Sequence, residues 1–79
     1  MYYVYILKSK KGETYYIGMT SDLRRRMGEH RRKEVKYTRA EDAYSLAWYG
    51  AFKSKMLARK FEKYLKSSSG FSFRNKRLV

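Results

Sequence analysis

The first 20 residues hold two short hydrophobic runs separated by a polar turn. Residues 2–7 (YYVYIL) are β-branched, aromatic and apolar, which predicts a strand. Ser9-Lys10-Lys11-Gly12 reads as a turn and residues 14–17 as a second strand. A four-residue loop closes this hairpin with Lys8 opposite Glu13, a favourable pair, and with Tyr5 opposite Tyr16. In that register both tyrosine rings leave the same face side by side, unless a bulge intervenes. Thr20 or Ser21 is placed to cap a helix over about residues 22–33, with Asp22 in its first turn. Leu23, Met27 and His30 fall on one stripe at helical spacing. Arg26 sits at the edge of that stripe, one turn before His30, while Arg25 points to the opposite, solvated side.

Residues 35–42 are polar and mixed and read as a loop. Tyr44–Phe52 (YSLAWYGAF) is apolar and aromatic and predicts a third strand, central in the sheet. Ser54 caps a second helix over Lys55–Lys66, with Leu57, Ala58, Phe61 and Leu65 as its buried stripe. Glu62 lies on the flank of that stripe and Lys63 faces solvent. Ser67-Ser68-Ser69-Gly70 ends the helix, and the basic tail over residues 71–79 leaves room for a short last helix. The order ββαβα predicts an α+β fold: a small, mainly antiparallel three-stranded sheet with helices packed on it.

Composition narrows the function. A chain of 79 residues is expected to form a single domain. Its hydrophobic content of 43% suits a packed interior, and some of its nine tyrosines must serve that core. With no cysteine, disulfides and thiolate-rich zinc sites are excluded, and a cytoplasmic location is expected. No apolar run is long enough to span a bilayer, and the first residues lack the basic stretch of a signal peptide. The net charge of +13, from 20 Lys and Arg against 7 Asp and Glu, calls for a polyanionic partner. Nucleic acid fits better than an anionic membrane, because no basic amphipathic helix with a Trp/Leu face is present. Taken singly, Tyr5 and Tyr16 are ordinary half-buried sheet residues, His30 a core histidine, and Glu62 a partner for Lys66 at i+4 or for Arg59 at i−3.

Taken together they match a pattern. Val4 to Leu7 (VYIL) and Tyr16 to Gly18 (YIG) resemble the two halves of the GIY-YIG motif. The stretch YIGMTSDLRRRMGEH continues the resemblance with a small hydroxyl residue, a leucine and an arginine four residues before a histidine: Thr20, Leu23, Arg26 and His30. ARKFEKYLK (Ala58 to Lys66) is similar to the helix that carries the family's single glutamate, here Glu62, and KYLKSSSGFSFRNKRL resembles the end of free-standing members. Two departures stand out. Tyr3 occupies the place of the first glycine, and an asparagine found late in some members has no clear counterpart.

The resemblance, to small members similar to the N-terminal nuclease domain of the DNA-incising excinuclease, implies a monomeric, metal-dependent endonuclease acting on nucleic acid, DNA first. Arg26 would bind the phosphoryl charge in its planar fork. Glu62 would hold one Mg²⁺ or Mn²⁺ through a hard oxygen. Tyr5 would position the attacking water and take its proton, Tyr16 would share that network, and His30 would orient a tyrosine or share its proton. Gly18 and Thr20 are expected on the substrate side. All five catalytic candidates should surround one concave surface over the sheet. Two other functions use the same charge: a catalytically silent nucleic-acid-binding module, and a basic adaptor for an acidic protein.

Overall fold

A computed structural model describes residues 1–9, 15–31 and 44–67, together with Gly70, Ser72 and Asn75. The turn over residues 10–14, the loop over 35–42, the end of the first helix at 32–33 and most of the basic tail lie outside the described residues. Three strands and two helices make up the rest: β1 (Tyr2–Ser9), β2 (Tyr15–Thr20), α1 (Leu23–Arg31), β3 (Tyr44–Phe52) and α2 (Lys55–Lys66). The expected α+β architecture is present, with all strand pairings antiparallel in the order β2-β1-β3.

The central strand is therefore β1, and β3, expected in the middle, is an edge strand. The sequence carries the reason. In β1, Val4, Tyr5, Ile6 and Leu7 are consecutive large residues, and all four are buried. A run without polar alternation suits a strand covered on both faces. Along β3, by contrast, Leu46 and Tyr49 remain exposed, as an edge position allows.

The hairpin register also differs from expectation. Tyr5 pairs with Gly18 and Lys8 with Tyr15, two residues away from the register read from loop length. Lys8 is thus the strand partner of Tyr15, with its Nζ 6.0 Å from the centroid of the Tyr15 ring, and Glu13 lies outside the described residues. A shift of two residues preserves side-chain parity. Tyr5 and Tyr16 thus still share a face, as diagonal neighbours rather than direct partners. Between β1 and β3 the register slips by one at Ile6/Leu7, a local irregularity of the bulge type.

Among the described residues, α2 packs on one sheet face and α1 on the other. Val4, Ile6 and Ile17 form a core cluster with Ala58 and Leu65 of α2, with Trp48, Phe52 and Phe61 packed against it. The Phe61 ring stands 5.7 Å from Trp48 and 5.5 Å from Phe52, centroid to centroid. Burial at this scale stabilises by roughly 1.5–3 kcal/mol per large side chain. The expected stripe of α2 is corrected at Leu57, which is 56% exposed. Leu57 and Glu62 flank the Ala58–Phe61–Leu65 stripe on opposite sides. The Glu62 side is the more covered of the two, at 20% side-chain exposure. Ser54 caps α2 as expected, its Oγ accepting from Leu57 N at 3.3 Å.

Candidate active site

The opposite face of the sheet is where the sequence candidates gather. Alternation along β1 sends Tyr5 away from Val4 and Ile6, and its ring is fully buried. The ring crosses the backbone of Gly18 in β2. A Cβ there would stand 2.6 Å from Tyr5 Cζ, collide with the Tyr5 hydroxyl and lie 3.1 Å from Tyr16 Cε1. Glycine at position 18 is therefore a condition for the Tyr5 position, whatever its backbone angles. Replacing Gly18 with Ala is expected to destabilise the fold by about 1–3 kcal/mol through overpacking. Each kcal/mol should lower Tm by about 4–8 °C in a domain of this size, measurable by thermal melting. An unchanged Tm would mean the ring has room to move.

Helix α1 delivers two more groups. Its cap is Asp22, not Thr20 or Ser21. The Asp22 carboxylate accepts from Arg25 N at 3.0 Å, and its carbonyl accepts from Arg26 N at 3.0 Å. Thr20 acts one step earlier, its hydroxyl accepting from Asp22 N at 3.1 Å. This bond shapes the entry to the helix and gives Thr20 a structural task. From that start, Arg26 and His30 lie one turn apart above the tyrosines.

Tyr5 Oη and His30 Nε2 are 3.1 Å apart in a buried hydrogen bond. Arg26 Nε donates to the same Tyr5 oxygen at 3.4 Å. The His30 ring stands edge-on to both tyrosines, with centroids 5.7 Å from Tyr5 and 5.2 Å from Tyr16. The two tyrosine centroids are 6.2 Å apart, and Tyr16 also hydrogen-bonds within the set. Arg26 is further steadied by Glu29, through a 2.9 Å contact from Nη1 to Oε1. Glu29 was not among the sequence candidates, although its i+3 and i+4 spacing from Arg26 and Arg25 was legible. Arg25, with its side chain 63% exposed, bridges loosely to Asp22 and Glu29 at 4.0 and 3.9 Å, whereas the Arg26 side chain is 34% exposed.

This packing tunes acidity. Burial pushes the Tyr5 phenol up to about 12, partly offset by the hydrogen bond from Arg26. The Arg26 guanidinium is held still more firmly in its charged form by Tyr5 and Glu29. His30 is shifted below its usual 6.5, by burial first and then by the Arg26 charge, with Glu29 opposing. At neutral pH the cluster thus holds a neutral phenol, a neutral imidazole and a fixed positive fork.

Glu62 is carried by α2. That helix packs its Ala58–Leu65 stripe on the Val4–Ile6–Ile17 face. The Glu62 side chain is half-buried, and the carboxylate accepts from Lys66 Nζ at 3.1 Å in an exposed pair. Of the five candidates, four are brought into mutual contact. Among the described residues no three His, Cys, Asp or Glu groups cluster as a metal cage. A lone carboxylate fits an ion such as Mg²⁺, which keeps several waters and takes its remaining ligands from substrate phosphate.

Comparison with known proteins decides the family. The profile of the GIY-YIG catalytic domain matches residues 1–77. The chain belongs to the GIY-YIG family. Its members are nucleases in general, which implies nuclease-type chemistry on nucleic acid. Relatives of this GIY-YIG chain include a UPF0213 protein of Streptococcus pneumoniae serotype 4, 43% identical over 65 residues, which are 81% of this chain and 65% of the relative. A UPF0213 protein of Halobacterium salinarum is 37% identical over 70 residues, covering 87% of this chain and 90% of the relative. The solution structure of the UPF0213 protein BH0048 from Bacillus halodurans superimposes with a TM-score of 0.58 at 35% identity, over 96% of this chain and 84% of that one. The match thus spans just under two thirds of the Streptococcus relative. Among the described residues no helix is long and apolar enough to cross a membrane.

Proposed function

We propose that this GIY-YIG chain is a DNA endonuclease that hydrolyses phosphodiester bonds with one divalent metal ion. One observation carries the reading. Tyr5, Tyr16, Arg26 and His30, drawn from three separate elements, meet in a single hydrogen-bonded cluster. A core would need none of these polar atoms, and each buried one must be satisfied by another.

The chemistry follows from the hydrogen-bond directions. Arg26 Nε donates to the Tyr5 oxygen, which leaves the hydroxyl proton to point at His30 Nε2 in the tautomer protonated on Nδ1. A phenol pushed up to about 12 is a weak acid and is not ionised at neutral pH. It serves as a relay. Attacking water gives a proton to the Tyr5 oxygen as the hydroxyl proton passes to His30. The Arg26 fork binds the phosphoryl oxygens as they gain charge. Tyr16 keeps both side chains in register. Glu62 would hold the Mg²⁺ or Mn²⁺, whose charge favours departure of the 3′-oxygen.

The test is nicking of supercoiled plasmid by the purified chain, with Mg²⁺ or Mn²⁺ and with EDTA. Metal-dependent nicking is the expected result. DNA binding without nicking under either metal would make the chain a silent binding module.

Acidity supplies a second check. The relay needs His30 neutral, and His30 is shifted downward from 6.5. Single-turnover cleavage should therefore be flat through pH 7 and fall only as pH drops below 6.5. A profile whose acid limb is centred above 6.5 would remove His30 as the proton acceptor.

A further inference from the structure

Tyr3 is the residue that stands where the motif has glycine, and the cleavage chemistry gives it no task. In the fold it points to the same face as Tyr5, two residues along β1. There its ring meets Tyr49 of β3, with centroids 6.2 Å apart and planes at 58°. Tyr49 is the direct strand partner of Tyr5 and is 51% exposed. The Tyr3–Tyr49 pair therefore sits beside the candidate site, with an accessible aromatic face. It forms one wall of an open groove between β3 and α1, which Arg24, Met27, Arg31 and Leu46 also line. Arg24 and Arg31 are seven residues apart on the helix, about 10.5 Å along its axis, and both are exposed. The groove also touches Asp22, whose carboxylate is occupied in capping α1.

Aromatic side chains flanked by cations recognise nucleotides whose bases are free to stack. We infer that the Tyr3–Tyr49 groove binds an unpaired nucleotide next to the scissile phosphate, so that the preferred substrate is single-stranded or locally unpaired DNA. The spacing favours this over regular duplex. Successive same-face positions on a strand are about 7 Å apart, twice the roughly 3.4 Å step of stacked duplex bases. In a duplex, moreover, neighbouring bases cover each other's faces. A strand running from Tyr5 to Tyr3 must therefore be unstacked, and the base it frees finds Tyr49. Arg24 and Arg31 supply charge for the flanking phosphates. The apolar Met27 and Leu46 tolerate any base, which gives a structural preference without a sequence one. The inference rests on the nuclease reading for its orientation, but its test does not use cleavage.

Binding is measured by fluorescence anisotropy in EDTA, with the full chain and labelled DNA of equal length, either an oligothymidine strand or a blunt duplex. Tyr49→Ala should weaken binding to the single strand by about tenfold, the scale of one lost base–aromatic stack, and leave duplex binding within twofold. Tyr49→Trp should retain single-strand affinity. Losses that are equal for both DNAs, or absent, would overturn the groove and leave the nuclease reading standing. Photo-crosslinking of the wild-type chain to a 5-iodouracil-substituted strand gives a readout independent of any variant's folding. Adducts at Tyr49 or Tyr3 are expected, and adducts confined to other residues would also overturn the proposal.

Discussion

Arg26→Ala should slow single-turnover cleavage by about two orders of magnitude or more, while Arg25→Ala should leave turnover nearly intact. Positions 24 to 26 are all arginine, so composition cannot rank them. The fold can. Arg26 reaches inward to the Tyr5 oxygen, and Arg25 lies out among Asp22 and Glu29 with its side chain 63% exposed. Losing a charge aimed at the transition state costs about 10²–10³ in rate by analogy with oxyanion donors. Losing an exposed arginine removes at most one screened phosphate contact. Arg26→Lys should rescue only partly, because an ammonium cannot present a fork to both phosphate and tyrosine. Saturating enzyme removes binding defects from the measurement. Equal losses at positions 25 and 26 would reduce the arginine run to a general electrostatic coat.

Glu62→Gln should abolish metal-dependent nicking and leave DNA binding unchanged or slightly tighter. The substitution keeps shape and removes the hard anionic oxygen that an ion needs. Its structural side effect is small. The partner Lys66 has a side chain 54% exposed, and pairs of this kind contribute about 0–1 kcal/mol. Thermal melting should therefore show a folded variant, and anisotropy a binding one, so that any loss of nicking is chemical. Lys66→Ala is the complementary change. It frees the carboxylate and should not lower the rate. Retained nicking in Glu62→Gln would carry a definite message. The ion would then be held elsewhere, and the Tyr5–His30–Arg26 face would contain all the protein groups that act.

Local signals in the sequence were enough for the features set by neighbouring residues. The bounds of α2 and its Ser54 cap were legible, because a cap followed by an apolar stripe is a local pattern. So was the meeting of Arg26 and His30, one turn apart on a helix. The shared face of Tyr5 and Tyr16 was legible for a different reason. Side-chain parity survives any even shift, so the conclusion held although the register was wrong by two residues. What failed was whatever depended on partners distant in the chain. Strand order was one case: β1 and β3 are both apolar, and only the covering of β1 on both faces makes it central. The unequal cover of the two flanks of α2 was another, since Leu57 and Glu62 flank the stripe on opposite sides and the Glu62 side is the more covered. The capping task of Asp22 depended on backbone geometry that a choice among three neighbouring polar residues could not reveal. Chain chemistry alone determined which side chains were available for phosphate chemistry. Tertiary packing alone decided that four of them touch and that Gly18 must stay bare for Tyr5 to do so.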